Sequence, residues 1–126
     1  MNMRQKIHEI IEKVKAVLPE FEVREGQLQF LDATADMCQS KEYPNHIIAE
    51  LPTGTGKSLG GLIPAIAYVM VTNEKRSKDD TIKPVYSTAT VGLQKQLERD
   101  VELLNKAGVN IKAHIVVGRS RFICKR

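Results

Sequence analysis

The stretch ELPTGTGKSLGG, residues 50–61, is the part of this sequence that decides how the rest is interpreted. A loop that binds several phosphate groups must point backbone N–H groups inward, and a Cβ would obstruct the tight turn that this requires. Gly54 and Gly56 meet this requirement, and Lys57 supplies a cation for the outer phosphates. Ser58 adds a hydroxyl that can bind Mg²⁺. The core Pro-Thr-Gly-Thr-Gly-Lys-Ser therefore predicts a nucleotide-binding phosphate loop, although Leu51 occupies the first glycine position of the strict pattern.

Apolar residues at helical spacing lie on both sides of this loop. They predict two helices before it, near residues 3–18 and at residues 25–39, and one directly after it that contains Pro64. A further helix is predicted over residues 91–107, with Gly108 as its stop.

A short apolar run at residues 45–51 predicts a buried strand, and residues 83–88 and 111–117 predict a second and a third strand. The alternation of strand and helix predicts an α/β fold, with a parallel sheet, flanking helices and right-handed crossovers. An N-terminal helical segment, residues 1–42, precedes this α/β part, which covers residues 43–117.

The bulk composition is that of a soluble globular domain, with 126 residues, 42% of them hydrophobic and 27% charged. The longest apolar run, residues 62–71, is too short to cross a bilayer, and the N-terminus does not resemble a signal peptide. We therefore expect a cytoplasmic protein with no membrane partner. Cys38 and Cys124 are far apart in sequence, which argues against a disulfide framework.

Charge is distributed unevenly along the chain. Residues 1–50 contain six Lys/Arg and nine Asp/Glu, whereas residues 51–126 contain thirteen and six. Clustered positive charge is typical of proteins that bind polyanions such as nucleic acids.

Four segments carry a resemblance to a known family. PTGTGKS resembles motif I of superfamily 2 helicases, and FEVREGQLQF, residues 21–30, is similar to the Arg-x-x-Gln segment upstream of motif I in the DinG/XPD branch. YSTATVGLQKQL, residues 86–97, looks like motif Ia of DinG helicases. GRSRFICKR, residues 118–126, looks like their Gly-Arg-x-x-Tyr-x-Cys segment, with Phe122 in place of the tyrosine. The segments occur in the family's order and cover nearly the whole chain.

The resemblance implies a partial RecA-like domain and assigns roles to individual residues. Gln27 is expected to read the adenine edge, Arg24 to support the same pocket, and Lys57 and Ser58 to act in catalysis, with Ser58 on the Mg²⁺ of ATP. The implied ATP-binding residues are Arg24, Gln27, Thr53, Gly54, Thr55, Gly56, Lys57 and Ser58. The implied DNA-backbone contacts are Thr88, Thr90 and Gln94.

The resemblance also implies a cofactor and a longer protein. Cys124 stands where the family has the first ligand of a 4Fe-4S cluster, so residues 118–126 would begin the cluster segment. The family continues with an Asp-Glu-x-His motif and a second RecA-like domain. The 126 residues contain no apolar strand that ends in Asp-Glu, and Glu50 precedes the loop and is interpreted as structural. We therefore expect an incomplete N-terminal piece of a 5′-to-3′ helicase that acts on single-stranded or forked DNA.

Alternative interpretations remain open from the residues alone. The chain could be an unrelated small P-loop NTPase or kinase, or a fragment that binds nucleotide or DNA without catalysis. Thr90 can serve as a plain helix N-cap. The tyrosines, Tyr43, Tyr68 and Tyr86, are expected to pack in the core or on the surface. The histidines, His8, His46 and His114, lack partners at metal-ligand spacing.

Overall fold

In a computed structural model, the chain forms four α-helices and one short 3-10 helix; residues 2–41, 46–52, 54 and 56–118 are described. The α-helices are α1 (Met3–Val17), α2 (Glu25–Gln39), α3 (Lys57–Asn73) and α4 (Val91–Lys106), with the 3-10 turn at Lys78–Asp80. All four predicted α-helices are present, and the bounds of α2 are as predicted.

Local sequence explains where α1 begins and where α4 ends. Asn2 and Gln5 form a reciprocal capping box, in which the Gln5 N–H donates to Asn2 Oδ1 at 2.8 Å and the Asn2 N–H donates to Gln5 Oε1 at 3.1 Å. At the other end of the chain, Gly108 has φ +78° and its N–H donates to the Asn105 carbonyl. The Val109 N–H donates to the Leu104 carbonyl, which completes a Schellman motif and stops α4.

Helix α3 is central, because it packs against α1, α2 and α4. It is apolar around most of its circumference, as expected for a helix with neighbours on several sides. Ile63 and Ala67 of α3, Val14 of α1, Ala35 of α2 and Leu104 of α4 are completely buried. The N-terminal helices therefore share one core with the helix that follows the phosphate loop.

The predicted α/β fold, a partial RecA-like domain with a parallel sheet, is wrong for this structure. Among the described residues no strand forms, and residues 46–52, 81–88 and 111–118 run without regular secondary structure. Ile48, Val85 and Val116, one from each of the three predicted strands, are 100%, 94% and 92% exposed. The physical reason is that a strand needs a neighbouring strand to satisfy its backbone N–H and C=O groups, whereas a helix satisfies them within itself.

Two asparagines pair with these irregular segments. The Asn73 amide donates to the Ile82 carbonyl at 3.0 Å and accepts from the Ile82 N–H at 2.9 Å. Asn105 makes the same pair of bonds with Ile111. At these two positions a side-chain amide takes the place of a partner strand.

The helices have no membrane-spanning character: within the described ranges, none is both long and apolar enough to cross a bilayer.

Candidate functional site

The phosphate loop has the backbone conformation that its glycines predict. Gly54 and Gly56 have φ of +82° and +72°, the left-handed region that favours glycine. Gly56 is also the N-cap of α3. Two predicted site residues of the loop, Thr53 and Thr55, lie outside the described residues.

Helix α3 begins at Lys57, so the lysine is on its first turn. Lys57 is exposed and Ser58 is half-buried. The Gly60 N–H donates to the Gly56 carbonyl at 2.9 Å, and the N–H groups of the first turn that precede it have no acceptor within the helix itself. The first turn contains no acidic side chain. This end of α3 therefore offers backbone N–H groups, the positive end of the helix dipole and a lysine to an anion.

Helix α2 contacts the loop through Gln27. This side chain is 3% exposed, and its Nε2 donates to the Gly56 carbonyl at 3.0 Å. A Cβ at Gly56 would lie only 2.9 Å from Nε2, and one at Gly60 would lie 3.5 Å from Gln27 Cγ. The adenine-reading role of Gln27 stays a prediction; the structure shows its amide nitrogen bonded to the loop.

Arg24 lies at the loop from the same helix. It is the exposed N-cap of α2, and its Nη1 lies 3.5 Å from the place where a Cβ on Gly54 would be. The structure thus brings Arg24 and Gln27 together with Gly54, Gly56 and the start of α3, although about 30 residues separate the two groups in sequence.

The predicted DNA-contact residues lie at the start of α4. Thr90 is the N-cap, and its hydroxyl accepts from the Leu93 N–H at 3.2 Å, which confirms the capping interpretation. Thr88 and Gln94 are half-buried, and the Gln94 backbone N–H bonds the Thr90 carbonyl. Contact with DNA stays a prediction for all three.

Tyr86 connects this segment to α3. Its ring lies close to Gly61, where a Cβ would be 3.3 Å from Tyr86 Cε2. The packing role expected for Tyr86 is therefore present, with the side chain 40% exposed. The Tyr86 ring can lie this close to α3 because Gly61 has no side chain.

The sequence reasoning missed Asp100, a carboxylate that is 6% exposed on α4. Its Oδ1 accepts from Gln96 Nε2 at 3.0 Å, and no donor in the described part of the chain reaches Oδ2. Burial raises the pKa of this carboxyl, and the Gln96 hydrogen bond only partly opposes the rise. The burial of Asp100 could have been predicted from the sequence, because Asp100 falls on the apolar stripe of α4 between Leu97 and Leu104.

The two cysteines differ in what the structure says of them. Cys38 is a half-buried free thiol on α2, and burial raises its pKa, which disfavours the thiolate that binds metals. Cys124, the predicted cluster ligand, lies outside the described residues. Over the ranges that are described, no three His, Cys, Asp or Glu side chains are grouped to bind a metal.

Comparisons with known proteins match this chain to a helicase family and to DinG proteins. The family model for DEAD/DEAH box helicases matches residues 24–123. The chain is 36% identical over 110 residues to the ATP-dependent DNA helicase DinG of Escherichia coli (strain K12), and to that of Salmonella typhimurium. It is 33% identical over 110 residues to the 3'-5' exonuclease DinG of Bacillus subtilis.

These alignments cover 86% of this chain but only 14% of the length of the two helicases and 11% of the exonuclease. No solved structure matches the chain.

Proposed function

Because the chain belongs to the DEAD/DEAH box helicase family, we propose that it forms the ATP-binding part of a DinG-like DNA helicase that acts on single-stranded DNA. The observation that carries the proposal is the geometry of the loop. Two left-handed glycines lead directly into α3, and an exposed lysine occupies the first position of that helix.

Different groups of the loop bind different parts of a triphosphate. The first-turn N–H groups of α3 donate to phosphate oxygens, and Lys57 places its ammonium group beside the outer phosphates. Their positive charge then stabilises the negative charge that spreads over the γ-phosphoryl group when water attacks it in line. Glycine at positions 54 and 56 allows the backbone to approach the phosphates closely.

Magnesium fits the loop as a partner of the nucleotide. Ser58 offers a hydroxyl oxygen on the second residue of α3, and Mg²⁺ is commonly bound by one or two protein oxygens together with substrate phosphates and waters. Thr53 and Thr55 complete the loop in this proposal, and Arg24 adds a second positive side chain beside Gly54.

DNA binds, in this proposal, at the start of α4. Thr88, Thr90 and Gln94 offer small polar groups and a helix N-terminus, which suit contacts to phosphate oxygens that do not read the sequence. For the whole protein, the proposal includes movement in the 5′-to-3′ direction, a preference for single-stranded or forked DNA, and RecA-like domains downstream of these residues.

A 4Fe-4S cluster is the remaining part of the proposal, with Cys124 as one ligand. Such clusters normally take four Cys thiolates. The basic side chains that flank Cys124 in sequence, Arg121, Lys125 and Arg126, favour its thiolate form.

The test is ATP hydrolysis by the whole protein in the presence of single-stranded DNA. Lys57→Ala removes the cation at the outer phosphates, so we expect DNA-stimulated turnover to fall by at least about tenfold while the circular dichroism spectrum is unchanged. Lys78→Ala, which removes an exposed lysine from the 3-10 turn, is the matched control and should hydrolyse ATP like the wild type. Near-normal turnover in a folded Lys57→Ala variant would refute the assignment of the loop.

A further inference from the structure

We infer that Gln27 is a positioning residue of the phosphate loop, which acts through the Gly56–Lys57 peptide and sets the affinity for phosphate groups whatever base they carry. This inference rests on the proposed function of the loop. It differs from the adenine-reading role in the atoms involved and in the ligands that would be affected.

A hydrogen bond from Gln27 holds the buried side of the loop. Gln27 Nε2 donates to the Gly56 carbonyl at 3.0 Å, and the same oxygen accepts from the Gly60 N–H at 2.9 Å. A carbonyl oxygen has two lone pairs, so both acceptor positions are used. Since Gln27 as a whole residue is 3% exposed, water does not readily replace its amide.

The rigid peptide unit transmits the effect of this bond to the Lys57 N–H. The Gly56 carbonyl and the Lys57 N–H belong to one planar, trans peptide unit, so the two bonds point in opposite directions. By fixing the carbonyl toward α2, Gln27 fixes the Lys57 N–H away from α2. This N–H is one of the first-turn donors that the proposed function assigns to the phosphates.

The Gln27 side chain also fills space against the first turn of α3. Gln27 lies across the first turn of α3, where a Cβ at Gly56 would be 2.9 Å from Nε2 and a Cβ at Gly60 would be 3.5 Å from Cγ. Glycine at position 56 is favoured by its φ of +72°, and a Cβ there would also displace the Gln27 amide. The Gln27 side chain thus occupies the space that Gly56 and Gly60 leave open because they have no side chains. This packing is what a fixed loop conformation requires.

Because Gln27 acts through the Gly56–Lys57 peptide, it does not contact the base of a bound nucleotide. Weakening this interaction should therefore reduce binding of every ligand that has the phosphate chain, by the same factor. An amide that reads adenine would instead separate ATP from GTP and leave a ligand without a base unaffected.

The experiment measures dissociation constants of the full chain for Mg·ATP, Mg·GTP and Mg-tripolyphosphate by titration calorimetry. Gln27→Met fills the same space but lacks the N–H donor of the amide, and Gln27→Ala leaves that space empty. We expect each to raise all three constants by a common factor of about 3 to 10, the effect of one net hydrogen bond. Gln29→Ala, an exposed position on the same helix, should change none of them by more than about twofold.

A second readout needs no nucleotide. In the unliganded chain, amide exchange of Gly60 should be faster in Gln27→Met than in the wild type, because its acceptor is no longer fixed, while exchange at Leu104 in α4 should be unchanged.

The outcomes separate this inference from the function on which it rests. A rise in the constant for ATP alone would overturn the positioning role in favour of base reading, and unchanged constants would overturn it outright. If the wild type bound none of the three ligands, the proposed function would fail. The exchange rate of Gly60 would then decide the positioning role, and an unchanged rate would overturn it.

Discussion

Asp100 carries an ionisable carboxylate in a buried, poorly solvated environment. A carboxylate that is 6% exposed, with one oxygen hydrogen-bonded to Gln96 and no donor from the described residues on the other, is a costly group to ionise. Its raised pKa means that the folded chain binds this proton more tightly than the unfolded chain does. Between the ordinary value of 3.8 and the raised value, the folded state carries more protons. The free energy of unfolding therefore falls as pH rises through that window.

Asp100→Asn should remove this dependence. The neutral amide keeps an oxygen that can accept from Gln96, so we expect the variant to be more stable than the wild type at about pH 7, with the advantage shrinking toward about pH 4. Urea unfolding at the two pH values measures the difference, and Glu102→Gln, which neutralises an exposed carboxylate on α4, is the control. A wild type that is the more stable of the two at neutral pH would contradict the burial argument.

The cysteines give a second prediction at this scale. Iron content of the anaerobically purified whole protein should fall on Cys124→Ser and stay unchanged on Cys38→Ser, because Cys38 is a half-buried thiol whose pKa is raised by burial. Iron analysis with the visible absorption spectrum measures both. Iron that depends on Cys38, or none in the wild type, would remove the cluster from the proposal.

Helices and irregular segments differ in how far the sequence predicts them. Apolar spacing together with local stops predicted α1, α2 and α4 to within one residue and placed α3 directly after the loop, because the hydrogen bonds and caps of a helix come from residues nearby in the chain. The strands failed because their hydrogen bonds depend on partners far away in sequence, which composition does not reveal. The segment at residues 111–117 has a strongly apolar sequence, yet Val116 is 92% exposed.

Helix α4 allows the two expected roles of Thr90 to be separated. Thr90→Ala removes the cap on Leu93 and should lower the free energy of unfolding by about 1 kcal/mol. Thr90→Asp keeps a capping oxygen and adds a negative charge that the helix N-terminus favours, so its stability should match or exceed that of the wild type.

The same aspartate should repel DNA phosphate. We therefore expect Thr90→Asp to bind a fluorescent single-stranded oligonucleotide more weakly than either the wild type or Thr90→Ala, as measured by fluorescence anisotropy of the whole protein at fixed salt. Wild-type affinity in Thr90→Asp would leave Thr90 as a cap alone.

At the scale of the whole molecule, the site depends on packing between α2 and α3. The sequence predicted the loop from its glycines and lysine, and the family resemblance pointed to Arg24 and Gln27. Neither predicted that the Gln27 amide would bond the Gly56 carbonyl, because that contact joins residues 29 apart in the chain and depends on how α2 and α3 are packed. The shared core of α1, α2 and α3 is what brings these residues to the loop.

The most direct test of the central claim is a calorimetric titration of the 126-residue chain with Mg·ATP. The claim is that the loop between α2 and α3 binds nucleotide phosphates, so the wild type and Lys78→Ala should bind with similar affinity. Lys57→Ala should bind about 10- to 100-fold more weakly, the effect of one hydrogen bond to a charged group. Equal affinity in Lys57→Ala, or no binding by the folded wild type, would contradict the account.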